Sequence, residues 1–179
     1  MPTIRPFRDY SEHDVINLFY VSGTYPIAKG TVVKVIGSGW AASNDSQQML
    51  NGLGQSYADV VSQRWGVPSV CAVTQTSLYT DTALGMTLYD CKEVDENGLP
   101  LIYNPRKAAE MNIALSGQAC PILTRGTILF SGVVGNAATG GTKAYLGPNG
   151  GVYTTGSTAI GQFLGNTDGN GYVLLRLDV

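Results

Sequence analysis

The sequence has few charged residues and no long apolar run. Only 13% of its 179 residues are charged, against about a quarter in an ordinary soluble protein. The net charge is −2 and the eleven lysines and arginines are scattered, which argues against tight binding to nucleic acid, because such binding needs one basic patch. No apolar stretch approaches about 18 residues and no hydrophobic leader opens the chain. We therefore expect no membrane span, no signal peptide and synthesis in the cytoplasm.

Signatures of catalysis and metal binding are scarce as well. His13 is the single histidine and has no nucleophile motif beside it, so a surface role is favoured over general-base catalysis. Cys71, Cys91 and Cys120 are far apart in sequence and lie in apolar, strand-like contexts, which predicts buried free thiols rather than metal ligands. We therefore predict a protein that is not an enzyme and that takes no cofactor or metal, although a pair of carboxylates can serve a glycosidase without any such motif.

Glycine, in contrast, is abundant. The chain has 23 glycines, well above the usual share of roughly 7%. A weakly charged, glycine-rich β protein is typically either secreted or buries much of its surface in an assembly.

Short runs of alternating apolar and polar residues predict β-strands along most of the chain. The clearest run is the last one, where Val173, Leu175 and Leu177 share one side. Turns rich in glycine and asparagine separate the runs of residues 114–179 and predict a compact antiparallel hairpin unit there. The predicted strands are 15–19, 31–36, 67–73, 83–91, 121–130, 143–146, 152–155, 160–164 and 172–179.

Two other segments have distinct patterns. Asn104 suits a helix N-cap and Pro105 the first helical position, which predicts a short helix over residues 105–112. Residues 38–56 are rich in Gly, Ser, Asn and Gln and predict a surface loop. The sequence thus indicates a mainly β protein with one or two short helices, built as a single antiparallel β-sandwich or barrel-like domain over residues 28–179.

Residues 1–27 are predicted to form an extended N-terminal arm and the first strand. Arginines alternate with aromatic residues along this segment, a mixture that protein interfaces favour. Two interpretations stand side by side: the arm lies on a neighbouring subunit, or it is a strand tied back onto its own domain. Trp40, in the polar loop predicted over 38–56, likewise either packs on the core or contacts a partner. The predicted interface residues are Arg5, Phe7, Arg8, Tyr10, Trp40 and Arg125.

Several segments resemble the head decoration, or capsid cement, proteins of tailed bacteriophages. The resemblance lies in overall pattern and covers roughly residues 15–179. The segments are ALGMTLYD at 83–90, DENG at 95–98, YNPRKAAEM at 103–111, GQACPILTRG at 117–126, AIGQFLG at 159–165 and DGNGYVLLRL at 168–177. The resemblance implies a β-rich fold, usually a homotrimer, seated on the outer surface of the major capsid shell at local three-fold positions. It implies no catalytic residues, and this chain is longer than the smallest members.

The expected function is therefore that of a structural virion protein. It would bind the outer surface of an assembled phage capsid and stabilise it by bridging capsomers, with the major capsid protein and further copies of itself as partners and with neither nucleic acid nor membrane. Two alternatives stay open. One is a structural component of the phage tail or baseplate, and the other is a carbohydrate-binding β module that uses Trp40, Trp65 and tyrosines.

Overall fold

The computed structural model describes residues 3–6, 13–23, 26–36, 71–115 and 117–179. Within these residues the protein is mainly β, with antiparallel sheets and short helices, as the sequence predicts. The loop predicted over 38–56 lies outside the described residues, as do Phe7, Arg8, Tyr10 and Trp40.

The described strands are short, and most match a predicted run. The final strand is among the longest, and its inward side carries the apolar residues of the alternating pattern. The strands are β1 Thr3–Pro6, β2 Val15–Ile16, β3 Phe19–Ser22, β4 Val32–Val35, β5 Cys71–Gln75, β6 Gly85–Thr87, β7 Asp90–Cys91, β8 Ile113–Ala114, β9 Ile122–Leu123, β10 Arg125–Ser131, β11 Lys143–Leu146, β12 Val152–Tyr153, β13 Ala159–Phe163 and β14 Tyr172–Asp178.

These strands form two six-stranded sheets and one small pair. The first sheet has the order β1-β10-β14-β13-β11-β12 and is antiparallel throughout. The second has the order β2-β9-β6-β4-β5-β3, in which only β3 and β5 run parallel. The small pair joins β7 and β8 in parallel. The N-terminal strand β1 is an edge strand of the chain's own first sheet, where Ile4 faces Phe130 of β10.

Both faces of the second sheet are buried. Val32 and Leu123 point to the core shared with the first sheet. Their neighbours Val33 and Ile122 point to the opposite face, where a second core includes Cys91 of β7. Because successive side chains of a strand point to opposite faces, one sheet serves both cores. The layers therefore follow the order first sheet, second sheet, small pair.

Three predicted strands are each divided in two, and the sheets explain why. The run 121–130 is interrupted at Thr124, because β9 belongs to the second sheet and β10 to the first. Thr124 donates both its N–H and its hydroxyl to the carbonyl of Asp14, which fixes the crossing point. The run 83–91 divides in the same way, because β6 belongs to the second sheet and β7 to the small pair. The run 15–19 divides because β2 and β3 lie at opposite edges of the second sheet, where they pair with β9 and β5. Periodicity within a run does not contain this information.

The short helix α1 spans Pro105–Glu110 and ends two residues before its predicted end. Its start is as predicted, because Asn104 Oδ1 accepts a hydrogen bond from the N–H of Lys107 at 3.2 Å and Pro105 stands at the first position. Asn112 has a φ of 52°, and this left-handed conformation cannot continue an α-helix.

Cys91 and Cys120 are buried free thiols, as predicted. The neighbouring Cys120 thiol, together with burial, raises the pKa of Cys91 well above its ordinary value. Their proximity was not predicted, because 28 residues separate them in sequence. The side chain of Cys71 lies outside the described structure.

Candidate interaction surfaces

Residues 93–112 form a small projecting unit between β7 and β8, which we call the module. It has a minor core of its own, in which Leu101 and Ala108 pack against Ile113 of β8. A short 3-10 helix, Leu101–Tyr103, precedes α1. The chain therefore leaves the layered body at one strand and returns at the strand paired with it, which gives the module a narrow base.

Asp95 organises the turn that begins the module. Its Oδ1 accepts hydrogen bonds from the N–H groups of Asn97 and Leu99, both at 2.8 Å. Gly98 has a φ of 77°, a conformation that glycine adopts without steric cost. These bonds close a tight turn over residues 95–99.

Lys107 of α1 ties the helix to that turn. Its Nζ lies 2.6 Å from Asp95 Oδ2 and 3.0 Å from Glu96 Oε1. The hydrogen bond from Lys107 is the largest influence that lowers the pKa of Asp95, and the reciprocal bond raises the pKa of Lys107. The module is therefore braced by an ion pair across its two halves.

The module exposes large apolar side chains that this bracing holds in place. Leu99 is 64% exposed, Ile102 69% and Tyr103 85%, and Val94 and Met111 are exposed as well. Exposed apolar residues scattered singly are normal in proteins, whereas a concentration of them marks a contact with another molecule. Five within 18 residues of a braced unit indicate a surface for protein contact.

The outward side of the first sheet forms a second surface, which we call the sheet face. Its middle is apolar, because Leu129 of β10 lies opposite Leu174 of β14, and Leu164 donates its N–H to the Leu174 carbonyl on the far side. Arg5 of β1 lies opposite Leu129 and ends this row. Arg176 stands in the adjacent row.

Basic side chains border that apolar middle. Arg5 lies over the ring of Tyr172, with its guanidinium carbon 4.9 Å from the ring centroid. Arg125 Nε lies 3.5 Å from Asp178 Oδ1, at an exposed position. In the row beside the apolar middle, Gln162 of β13 lies between Arg176 of β14 and Lys143 of β11.

The structure brings two of the predicted interface residues onto one surface. Arg5 and Arg125 both lie on the sheet face, roughly 14 Å apart along the strand direction. The prediction did not include the module's Leu99, Ile102 and Tyr103. The signal available for them was the apolar run LPLIY, which directly follows the polar turn DENG. This run lies between a turn and a helix cap and is too short to join a sheet as a strand, so its apolar side chains had no evident core to enter.

The described residues contain no group of three or more His, Cys, Asp or Glu side chains that could hold a metal ion. In the same part of the chain, no helix is long and apolar enough to cross a membrane. No family model matches the chain, and no curated protein is significantly similar to it.

Proposed function

We propose that this chain is a structural virion protein that binds the outer surface of an assembled phage capsid and stabilises it by bridging capsomers, as a homotrimer. The observation that carries the proposal is the module, a braced projection whose exposed Leu99, Ile102 and Tyr103 suit protein contact. The resemblance of several segments to capsid decoration proteins supports it, and one of these segments, 103–111, lies in the module itself.

The physical basis of such a role is multivalent contact. A trimer that meets three sites on a shell binds far more tightly than one copy, because the second and third contacts form at a high effective concentration. Separating two capsomers then requires breaking these bridges as well. Rigid sheets suit this role, because a bridge that deforms easily would not resist the separation.

Immunogold electron microscopy of purified virions tests the proposal directly. Antibodies raised against this chain should label the head, at positions spread over the shell. Label on the tail or baseplate would instead support the alternative structural role, and virions without label would contradict both. A second measurement uses the purified protein, which should cosediment with expanded shells and not with unexpanded ones.

A further inference from the structure

A cyclic trimer needs two different patches on every copy. In a ring of three, each copy contacts one neighbour with one patch and the other neighbour with a second patch, so the contact is heterologous. We infer that the module of one copy docks on the sheet face of the next copy. This inference rests on the homotrimer of the proposed function and assigns its two surfaces.

The module is acidic overall. It carries four acidic residues against Arg106 and Lys107, so its net charge is −2. Lys107 serves two carboxylates at once, and the exposed Glu93 forms no ion pair within the described part of the chain. The acidic residues are Glu93, Asp95, Glu96 and Glu110. The module therefore offers carboxylates that its own cations do not fully neutralise.

The sheet face has the opposite charge. It carries four basic residues against Asp178, so its net charge is +3 in a chain of net charge −2, and the remainder of the chain carries −5. Only Arg125 has a carboxylate partner among the described residues. The other three basic residues are Arg5, Lys143 and Arg176.

The two surfaces also match in their apolar parts and in size. The row of Leu129, Leu174 and Leu164 offers an apolar strip with Arg176 beside it, and the module offers exposed apolar side chains with carboxylates around them. The sheet face spans five strands and is roughly 19 Å wide and 20 Å long, given strand spacings of about 4.8 Å and rises of about 3.4 Å per residue. A unit of 20 residues fits on such an area.

The layering of the fold makes the contact intermolecular. The sheet face lies on the outer side of the first sheet, whereas the module leaves the small pair β7–β8, which packs on the far side of the second sheet. Ile27 exchanges backbone hydrogen bonds of 2.8 and 2.9 Å with Cys91 and holds the base of the module there. Two sheets therefore separate the module from its own sheet face, and only another copy can bring the two surfaces together.

Charge reversal with rescue tests this assignment by sedimentation velocity. A face variant, Lys143→Glu with Arg176→Glu, places like charges opposite the module and should raise the dissociation constant of the trimer at least tenfold. A module variant, Glu93→Lys with Glu110→Lys, should do the same. The four substitutions combined restore opposite charges and should recover most of the affinity, a coupling that independent effects on stability would not produce.

Two controls separate contact from folding. Leu99→Ser should weaken the trimer, whereas Leu78→Ser, which alters a side chain 59% exposed and outside both surfaces, should not. The wild-type trimer should also weaken as salt is raised, because exposed charge pairs are screened, and this measurement needs no variant.

A wild-type chain that stays monomeric throughout the micromolar range would overturn the inference, and so would single-surface variants that remain trimeric. Neither result decides whether the chain is a virion protein, which the immunogold labelling tests separately. Conversely, a trimer that responds as expected while virions carry no label would retain the two surfaces and remove the capsid role.

Discussion

Lys107 Nζ lies 2.6 Å from Asp95 Oδ2, so one ion pair joins the helix of the module to its first turn. The other oxygen of Asp95 accepts hydrogen bonds from the backbone of that turn. The exposed Ile102 and Tyr103 lie between the two joined parts. The presentation of the module's apolar surface therefore depends on Lys107 and on the carboxylates with which it pairs.

Replacing Lys107 should loosen the module without affecting the sheets. In Lys107→Met the helix loses its bond to the turn, and the amides of residues 93–112 should exchange hydrogen faster, while those of β10 and β14 keep their wild-type rates. Hydrogen exchange followed by mass spectrometry measures both. Arg106→Met is the matched control, because its ion pair with Glu110 is 89% and 64% exposed and such pairs contribute little. Equal exchange in the two variants would contradict the bracing role.

Acid should loosen the module in a defined window. The pKa of Asp95 is lowered from 3.8 mainly by its hydrogen bond from Lys107. A carboxylate with a lowered folded-state pKa contributes stability that is complete above its unfolded pKa and is lost as the pH falls through the folded one. The hydrogen exchange of the module's amides, corrected for the intrinsic rate at each pH, should therefore be unchanged down to about pH 4 and should accelerate below it. An Asp95 carboxyl that titrates at or above 3.8 by NMR would refute this account.

Asp81, in the loop between β5 and β6, should stabilise the second sheet. Both its oxygens lie 2.9 Å from Lys34 Nζ of β4, and the N–H groups of Ser77 and Leu78 also donate to it. The bond from Lys34 is the largest cause that lowers the pKa of Asp81 to about 2. We expect Asp81→Asn to lower the free energy of unfolding at pH 7 by on the order of 1 kcal/mol. Urea titrations should show this difference shrink between pH 4 and pH 2.

Much of the fold follows from local patterns. The strand β11 has its predicted bounds, and β14 differs from its prediction by one residue, because both lie in one sheet with one buried face. The helix cap at Asn104 was also predictable from a local pattern, because Asn104 and its donor Lys107 are only three residues apart. The crossing at Thr124 was not, because it depends on which sheet each half of the strand joins.

The interaction surfaces were only partly predictable. Arg5 and Arg125 were identified from residue type alone, and the pairing of β1 and β14 with β10 shows why they share a face. Arg176 and Lys143 join them through pairings distant in sequence, which no local pattern contains. Only the helix of the module was predicted, and the exposure of the module follows from where its two ends are attached.

The buried thiols should resist modification in the folded protein. Cys120 is 0% and Cys91 2% exposed, and the raised pKa of Cys91 keeps its reactive thiolate scarce. Iodoacetamide should therefore label neither residue in native buffer and both in denaturant, as peptide mapping by mass spectrometry would show. Rapid native labelling of Cys91 would mean that the base of the module opens readily.

Gly161 should be essential for the pairing of β13 with β14. A Cβ at this position would overlap the carbonyl oxygen of Arg176, a backbone atom that the ladder holds in place. Because the backbone cannot move without breaking the pairing, we expect Gly161→Ala to lower the free energy of unfolding by about 3 kcal/mol. Gly165→Ala, in the same hairpin but with no atom within 4 Å of its added Cβ, should change it by less than about 0.5 kcal/mol. Guanidinium unfolding of both variants provides the measurement, and equal midpoints would show that the sheet accommodates the methyl group by a shift of β14.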